Sequence, residues 1–194
     1  MTMAFDALEE VSDEALLVLY GNGDGGAARA LTLRLAPLAL RVAQRMLNDR
    51  AEAEDLAQEA MLRLWRIAPE WRQGEAKVST WLYRVVTNLA TDRLRRRRWV
   101  GLDEAPEIPD GAASALERMI EDDRAQALEL ALAQLPARQR QAVVLRHLEG
   151  MSNPEIAAAM EIGVEAVESL TARGKRALAA LLSGRRAELG YGHE

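Results

Sequence analysis

Apolar residues recur along this chain at three- and four-residue spacings, and the punctuation between the runs divides it into helices. Ser12 is a candidate cap for a first helix over 13–20, which GNGDGG ends with glycines that tolerate positive φ. A long helix is expected over 27–47, with Pro37 as a kink or boundary. Asn48 and Asp49 close it, and Asp49 with Glu52 forms a capping-box pattern that opens a helix over 50–67. PEWRQGEAKVS, at 69–79, reads as a loop, and Ser79 or Thr80 can cap a helix that runs to Arg98.

The pattern then changes. GLDEAPEIPDGAAS, at 101–114, holds two prolines, several acids and almost no core-forming residues, as a linker does. A helix rich in Ala and Leu follows over 115–134, and Leu135-Pro136 starts another that stops near Glu149-Gly150. Ser152 and Glu155 make a capping box, with Met151 and Ile156 as a hydrophobic staple. That short helix is expected to end at Glu161, with Ile162-Gly163-Val164 as the turn and a longer helix continuing to about Leu182. The tail GRRAELGYGHE has little to bury and is expected to fray. No strand-like alternation is long enough to build a sheet. The fold class is therefore all-α, with small helical domains at 12–98 and 115–183, a flexible acidic linker at 99–114 and a frayed tail at 184–194.

Composition narrows the chemistry. The 194 residues are 49% hydrophobic and only 4% aromatic, with no cysteine and two histidines. Disulfides, thiol redox sensing and cysteine-type zinc sites are thereby excluded, and two isolated histidines make no metal site. No cofactor or metal is expected. The acidic N-terminus has no basic region leading into a cleavable apolar core, and no apolar run approaches the length of a membrane span, so the expected location is the cytoplasm without membrane insertion. The net charge of -5 shifts attention from total charge to local patches.

Two patches stand out. In the last long helix Val167, Leu170, Gly174, Leu178 and Leu181 form one stripe, and Glu165, Glu168, Ser169, Ala172, Arg173 and Arg176 fall on the other side. A short helix, a glycine-bearing turn and a longer helix with a polar face follow helix-turn-helix grammar, in which the start of the second helix reaches base edges; a plain helical hairpin is the alternative. Arg138, Arg140, Arg146, Arg173, Lys175 and Arg176 are candidate phosphate contacts, or a solvated basic face.

In the helix from Thr80, Leu82, Val85, Val86 and Leu89 form the core stripe, while Arg84, Asn88, Thr91, Asp92 and Arg95 share another face. The run Arg95 to Arg98 suits the negative end of a helix dipole, or a nucleic-acid patch. Asn88, one period from Arg84, favours the second reading, as do Trp71, Trp81 and Tyr83, which can stack on unpaired bases. Dipole stabilisation explains Glu52 and Glu54, but explains Asp55 less well and Glu59 poorly; with Gln58 and Leu62 these suit a protein partner that presents basic residues.

Taken together, EAEDLAQEAMLRLWR, STWLYRVVTNLATDRLRRRR, a variable acidic linker and LPARQRQAVVLRHLEGMSNPEIAAAMEIGVEAVESLTARGKRAL resemble the extracytoplasmic-function (group 4) sigma factors of the bacterial sigma-70 family, over about residues 12–182. The resemblance implies a non-catalytic specificity subunit of RNA polymerase that directs core enzyme to promoters and starts melting them. Its region-2 domain binds the polymerase clamp helices through Asp55, Gln58, Glu59 and Leu62. Trp71, Arg72, Lys77, Arg84, Asn88, Asp92, Arg95 and Arg96 hold the minus-ten element, with one base flipped out. The linker acids Asp103, Glu104, Glu107 and Asp110 thread toward the polymerase channels.

On the same resemblance, the region-4 domain grips the polymerase flap and reads the minus-thirty-five element through Arg138, Glu168, Ser169, Ala172, Arg173 and Arg176. An anti-sigma factor is an implied partner. The chain departs from the family where Glu165-Ala166 replace a common Gly-Thr, where Glu168 and Leu170 stand at commonly basic positions, and where AARALTLRLAPLAL lacks a usual aromatic pair. Glu168 suits either a cytosine amino group or a basic anti-sigma surface. The competing readings are a conventional helix-turn-helix regulator, which leaves the first half unexplained, and a sigma-mimicking anti-anti-sigma regulator, which lacks room for a receiver domain. An enzyme fits least, since no nucleophile and base pair, metal cluster or phosphate-cradling loop is present.

Overall fold

The computed structural model describes residues 8, 10–72, 74, 77–100 and 116–183. Among these residues there is helix and no strand. The elements are α1 (Asp13–Gly21), α2 (Gly25–Leu47), α3 (Arg50–Ile67) with a 3-10 turn at Ala68–Glu70, α4 (Val78–Val100), α5 (Leu116–Ala133), α6 (Ala137–Val143) continued by a π turn at Val144–Leu148, α7 (Asn153–Met160) and α8 (Val164–Ser183). The all-α expectation holds. Two compact units separate, one of residues 1–44 and 50–90, the other of 45–49 and 91–194. The division falls between Ala90 and Thr91, inside α4. The expected linker from Gly101 to Ser114, with its four acids, and the expected frayed tail lie outside the described residues.

The helix starts follow from side chains that satisfy orphan N–H groups. Ser12 caps α1, its hydroxyl accepting from Ala15 N–H. Asp24 caps α2, with Oδ1 accepting from Gly26 and Ala27 N–H at 2.8 and 3.1 Å. This moves the start of α2 two residues ahead of the expected Ala27, because a side-chain acceptor outweighs the poor helix propensity of the two glycines. Pro37 lies inside a continuous helix and not at a boundary. Neither Ser79 nor Thr80 caps α4. Glu14 does so from α1, accepting from Val78 N–H at 3.0 Å, a partner 64 residues away.

In the N-terminal helices the buried side chains include Leu16 and Leu17 of α1, Leu31 and Leu35 of α2, Leu56 and Leu64 of α3, and Leu82 and Val86 of α4. Val85 and Leu89, expected in this core, are only half-buried; Val78, Tyr83 and Ala90 are buried instead. Arg34 ties the chain start to α2, donating to the carbonyls of Leu8 and Val11 and pairing with Asp13 at 3.0 Å.

In the C-terminal helices α8 packs on α5, α6 and α7. Val167 and Gly174 are its buried positions, with Leu170, Leu178 and Leu181 half-buried along the expected stripe. A side chain at Gly174 has no room: its Cβ would lie 2.5 Å from Val143 Cγ2 and 3.2 Å from the Gln139 carbonyl. Ser152 and Glu155 form the expected capping box, with Ser152 N–H donating to Glu155 Oε2 at 2.9 Å. Met151 and Ile156 are both buried, as a staple requires. The short helix ends at Glu161, as expected, and α8 starts at Val164. Glu161, not Gly163, takes the left-handed conformation that ends α7, at φ 54 and ψ 48.

Candidate nucleic-acid interface

The C-terminal face is built on α8. Hydrophobic burial of Val167 and Gly174 fixes its rotation, and that rotation leaves Glu165, Ala166, Glu168, Ser169, Ala172, Arg173 and Arg176 exposed. The capping box and staple fix where α7 begins, and the Glu161 turn sets the angle at which α8 leaves it. Ser169 and Ala172 are small, so the backbone can come close to a partner there. Arg173 turns back on its own helix, Nε donating to the Ser169 carbonyl at 3.3 Å, and its guanidinium remains exposed.

The arginines before α7 divide by burial. Arg138 is exposed and donates to the Met160 carbonyl at 3.3 Å, which leaves it on the surface beside the turn. Arg146 is exposed too, with Nη1 bonded to the Met151 carbonyl at 2.9 Å. Arg140 does not belong to a phosphate-binding surface. It is 5% exposed and donates to the Ala133 and Leu135 carbonyls, satisfying the C-terminal end of α5. Burial lowers its guanidinium to about 10, still charged at neutral pH. A guanidinium answers helix-end carbonyls as readily as a phosphate, and nothing in the local sequence distinguishes the two uses.

Beside this surface a cavity of about 150 Å³ is lined by Leu132, Val143, His147, Leu148, Lys175 and Leu178, among others. Burial, then the charges of Lys175 and Arg146, push the His147 imidazole below its ordinary value.

The N-terminal face runs along α4. In the first unit Arg84 and Asn88 are exposed, and in the second Arg95 and Arg96 are exposed and Thr91 and Asp92 half-exposed. Asp92 pairs with Arg95 at 3.1 Å. Arg97 faces elsewhere and pairs with Asp49 at 3.3 Å, so the four-arginine run divides between surface and structure. Trp99, at 88% exposure, extends the exposed side of α4 beyond the residues predicted for it.

The aromatic residues also divide. Tyr83 is buried, so it does not stack on bases. Trp71 is half-buried and packs edge-on against Trp81, with ring centroids 6.4 Å apart at 88°. Its indole N–H is buried and has no acceptor among the described residues. Arg72 and Lys77 are exposed at the two ends of the loop.

On α3, Asp55, Gln58 and Leu62 are exposed and Glu59 half-exposed, at the spacing of one helical face. Leu62 is 54% exposed, which nothing in the N-terminal core requires. Glu59 pairs with Arg63 at 2.7 Å. The result is an exposed apolar side chain with Gln58 and Glu59 one turn before it and the exposed Arg63 and Arg66 beside and after it. No group of three or more potential metal ligands occurs among the described residues, and no helix there is long and apolar enough to cross a membrane.

The Sigma-70 region 2 family model matches residues 31–100, which carry the α3 and α4 faces, and the Sigma-70, region 4 model matches residues 125–178, which carry α8. The chain is 34% identical to the ECF RNA polymerase sigma factor SigE of Mycolicibacterium smegmatis over 87% of its own length and 68% of that protein. It is 33% identical to the ECF RNA polymerase sigma factor SigM of Mycobacterium tuberculosis, over 93% of this chain and 89% of that one. The chain belongs to the ECF sigma factors of the sigma-70 family. The fold of this sigma factor is also that of the sigma factor RpoE solved in complex with the anti-sigma factor NepR from Bartonella quintana. That likeness has a TM-score of 0.63 and 24% identity, covering 80% of this chain and 96% of that one.

The residues that sequence reasoning missed are Glu14 and Asn153. Glu14 positions α4 from a helix far away in sequence, and Asn153 donates to Glu168 at 3.4 Å across the helix-turn-helix. Neither lies in a pattern that periodicity could have flagged.

Proposed function

We propose that this sigma factor is a non-catalytic specificity subunit that carries bacterial core RNA polymerase to a restricted set of promoters and starts their melting. The observation that carries the reading is the presence, in one chain and in order, of an α4 face bearing Arg84, Asn88, Arg95 and Arg96 and an α8 face bearing Ser169, Ala172, Arg173 and Arg176. One face suits an unpaired strand, where cations follow the backbone and an amide reads a base; the other suits a major groove.

Residues 12–98 act as the region-2 domain and 115–183 as the region-4 domain, with 99–114 between them. Asp55, Gln58, Glu59 and Leu62 meet the polymerase clamp helices, an apolar contact with two acids on its N-terminal side that a basic surface complements. Trp71, Arg72, Lys77, Arg84, Asn88, Asp92, Arg95 and Arg96 hold the melted minus-ten strand. Packing of Trp71 on Trp81 leaves part of its ring for a flipped base, whose unstacking costs a few kcal/mol. Arg138, Glu168, Ser169, Ala172, Arg173 and Arg176 meet the minus-thirty-five duplex, and the apolar cavity beside α8 suits the polymerase flap. An anti-sigma factor that covers these faces controls the protein, which works in the cytoplasm.

The test is transcription in vitro from genomic fragments with purified core polymerase and the full chain. Promoter-specific transcripts that depend on the chain are expected. Their absence, together with no binding to core, overturns the reading.

A further inference from the structure

A carboxylate on a groove-facing helix has few partners. It accepts hydrogen bonds and donates none, and the phosphates that border the groove repel it. The base-edge donors in the major groove are the amino groups of cytosine and adenine. Adenine sets its amino group beside N7, whose lone pair opposes a carboxylate, whereas cytosine presents its amino group with no neighbouring acceptor on that edge.

Glu168 stands in this position. It is exposed in the second turn of α8, next to Ser169, with the small Ala172 one turn further on. Its carboxylate is also oriented from outside α8, since Asn153 Nδ2 donates to Oε1 at 3.4 Å. Asn153 is the first residue of α7, so the positive end of a capped helix lies on the same side. With Oε1 drawn toward α7, Oε2 is left for a donor outside the chain. A basic protein surface is a poorer occupant, because any partner cationic enough to seek Glu168 meets the exposed Arg173 and Arg176 within the next two to three turns.

We propose that Glu168, positioned by Asn153, reads a cytosine in the minus-thirty-five element by accepting a hydrogen bond from its N4 amino group. This rests on the reading that α8 lies in the major groove. The cost of bringing a carboxylate near phosphates is offset by Arg138, Arg173 and Arg176, and the gain is discrimination at one base pair. Ser169 and Ala172 let the helix come close enough for a glutamate to reach the base edge.

The experiment uses holoenzyme reconstituted from core polymerase and the full chain, selected on promoters randomised through the minus-thirty-five element. The parent is expected to favour cytosine at one position by about tenfold. Glu168→Ala abolishes that preference and leaves the other positions unchanged. Glu168→Gln moves it toward adenine, whose N6 and N7 a carboxamide can engage together. Asn153→Ala weakens the same preference several-fold without altering any other position, which a merely structural role for Asn153 does not produce. A single methyl on N4 of that cytosine, which keeps the hydrogen paired to guanine O6 and replaces the one facing the groove, weakens the parent about tenfold and Glu168→Ala not at all.

The proposal is overturned if Glu168→Ala keeps the parent base profile at every position, including the case in which the substitution alters only capture by a basic protein. If Arg173→Ala still weakens minus-thirty-five binding in that event, the groove reading of α8 survives and the cytosine contact alone fails. If neither substitution changes anything in the element, both fail.

Discussion

Gly174 sits where α8 crosses α6, and the space for a side chain there is already taken by Val143 Cγ2 and the Gln139 carbonyl. Alanine would gain about 1 kcal/mol in helix propensity, but overpacking against a stiff β-branched neighbour and backbone costs about 1–3 kcal/mol. We expect Gly174→Ala to lower stability by about 1 kcal/mol in urea unfolding of the C-terminal helices, and Val143→Ala in the same chain to recover part of the loss through relieved contact. Equal destabilisation with and without Val143→Ala would count against this packing. His147 carries a pH dependence. Because burial, Lys175 and Arg146 lower its folded value, the unfolded chain takes up the proton first as pH falls. Its contribution is full above the unfolded value of about 6.5 and is lost as pH drops through the folded one. The parent should therefore lose more stability between pH 7 and pH 5 than His147→Gln does. The difference should be modest because the ring is exposed.

At the scale of elements, the helix ends show how far local sequence carries. Ser12 and the Ser152 and Glu155 pair act within three residues of themselves, and the caps expected for them are present. The start of α4 was misplaced because its acceptor, Glu14, comes from another helix, and no local pattern encodes a contact across 64 residues. Glu14→Ala is expected to cost about 1 kcal/mol of stability by leaving Val78 N–H without its acceptor, with protection of the first α4 amides from hydrogen exchange falling most. Unchanged exchange at those amides would show that the contact contributes nothing. The turn before α8 starts at Glu161, the end expected for α7 from the local pattern. A glycine was present at Gly163, yet the strained conformation fell on Glu161, because the length of α7 decides which residue must reverse the chain.

For the whole molecule, the two surfaces proposed to meet DNA lie on two sets of helices, which implies separable defects. Arg173→Ala is expected to weaken promoter binding by holoenzyme about tenfold, with melting of bound promoters unimpaired. Asn88→Ala is expected to leave binding to the minus-thirty-five element intact and to reduce open-complex formation or selectivity at the minus-ten element, each worth about 1–3 kcal/mol. Permanganate reactivity of the melted strand and gel-shift affinity distinguish the two. If both variants behave like the parent on every promoter, the site assignments fail while the family membership stands.

The sequence by itself determined the helical class, the order of helices, the exposed rows of α3, α4 and α8, and the resemblance to sigma factors. All of these are written in spacings of three and four residues or in caps that act over one turn. Only the tertiary structure decided what each polar side chain meets. It placed Arg140 on helix-end carbonyls, Arg97 on Asp49 and Tyr83 in the core, and left Arg138, Arg95 and Arg96 on the surface, although sequence treats these residues alike. It also set Asn153 against Glu168. Periodicity fixes which way a side chain points from its own helix, whereas its partner depends on which other helix arrives there, and that is settled by packing across long stretches of chain.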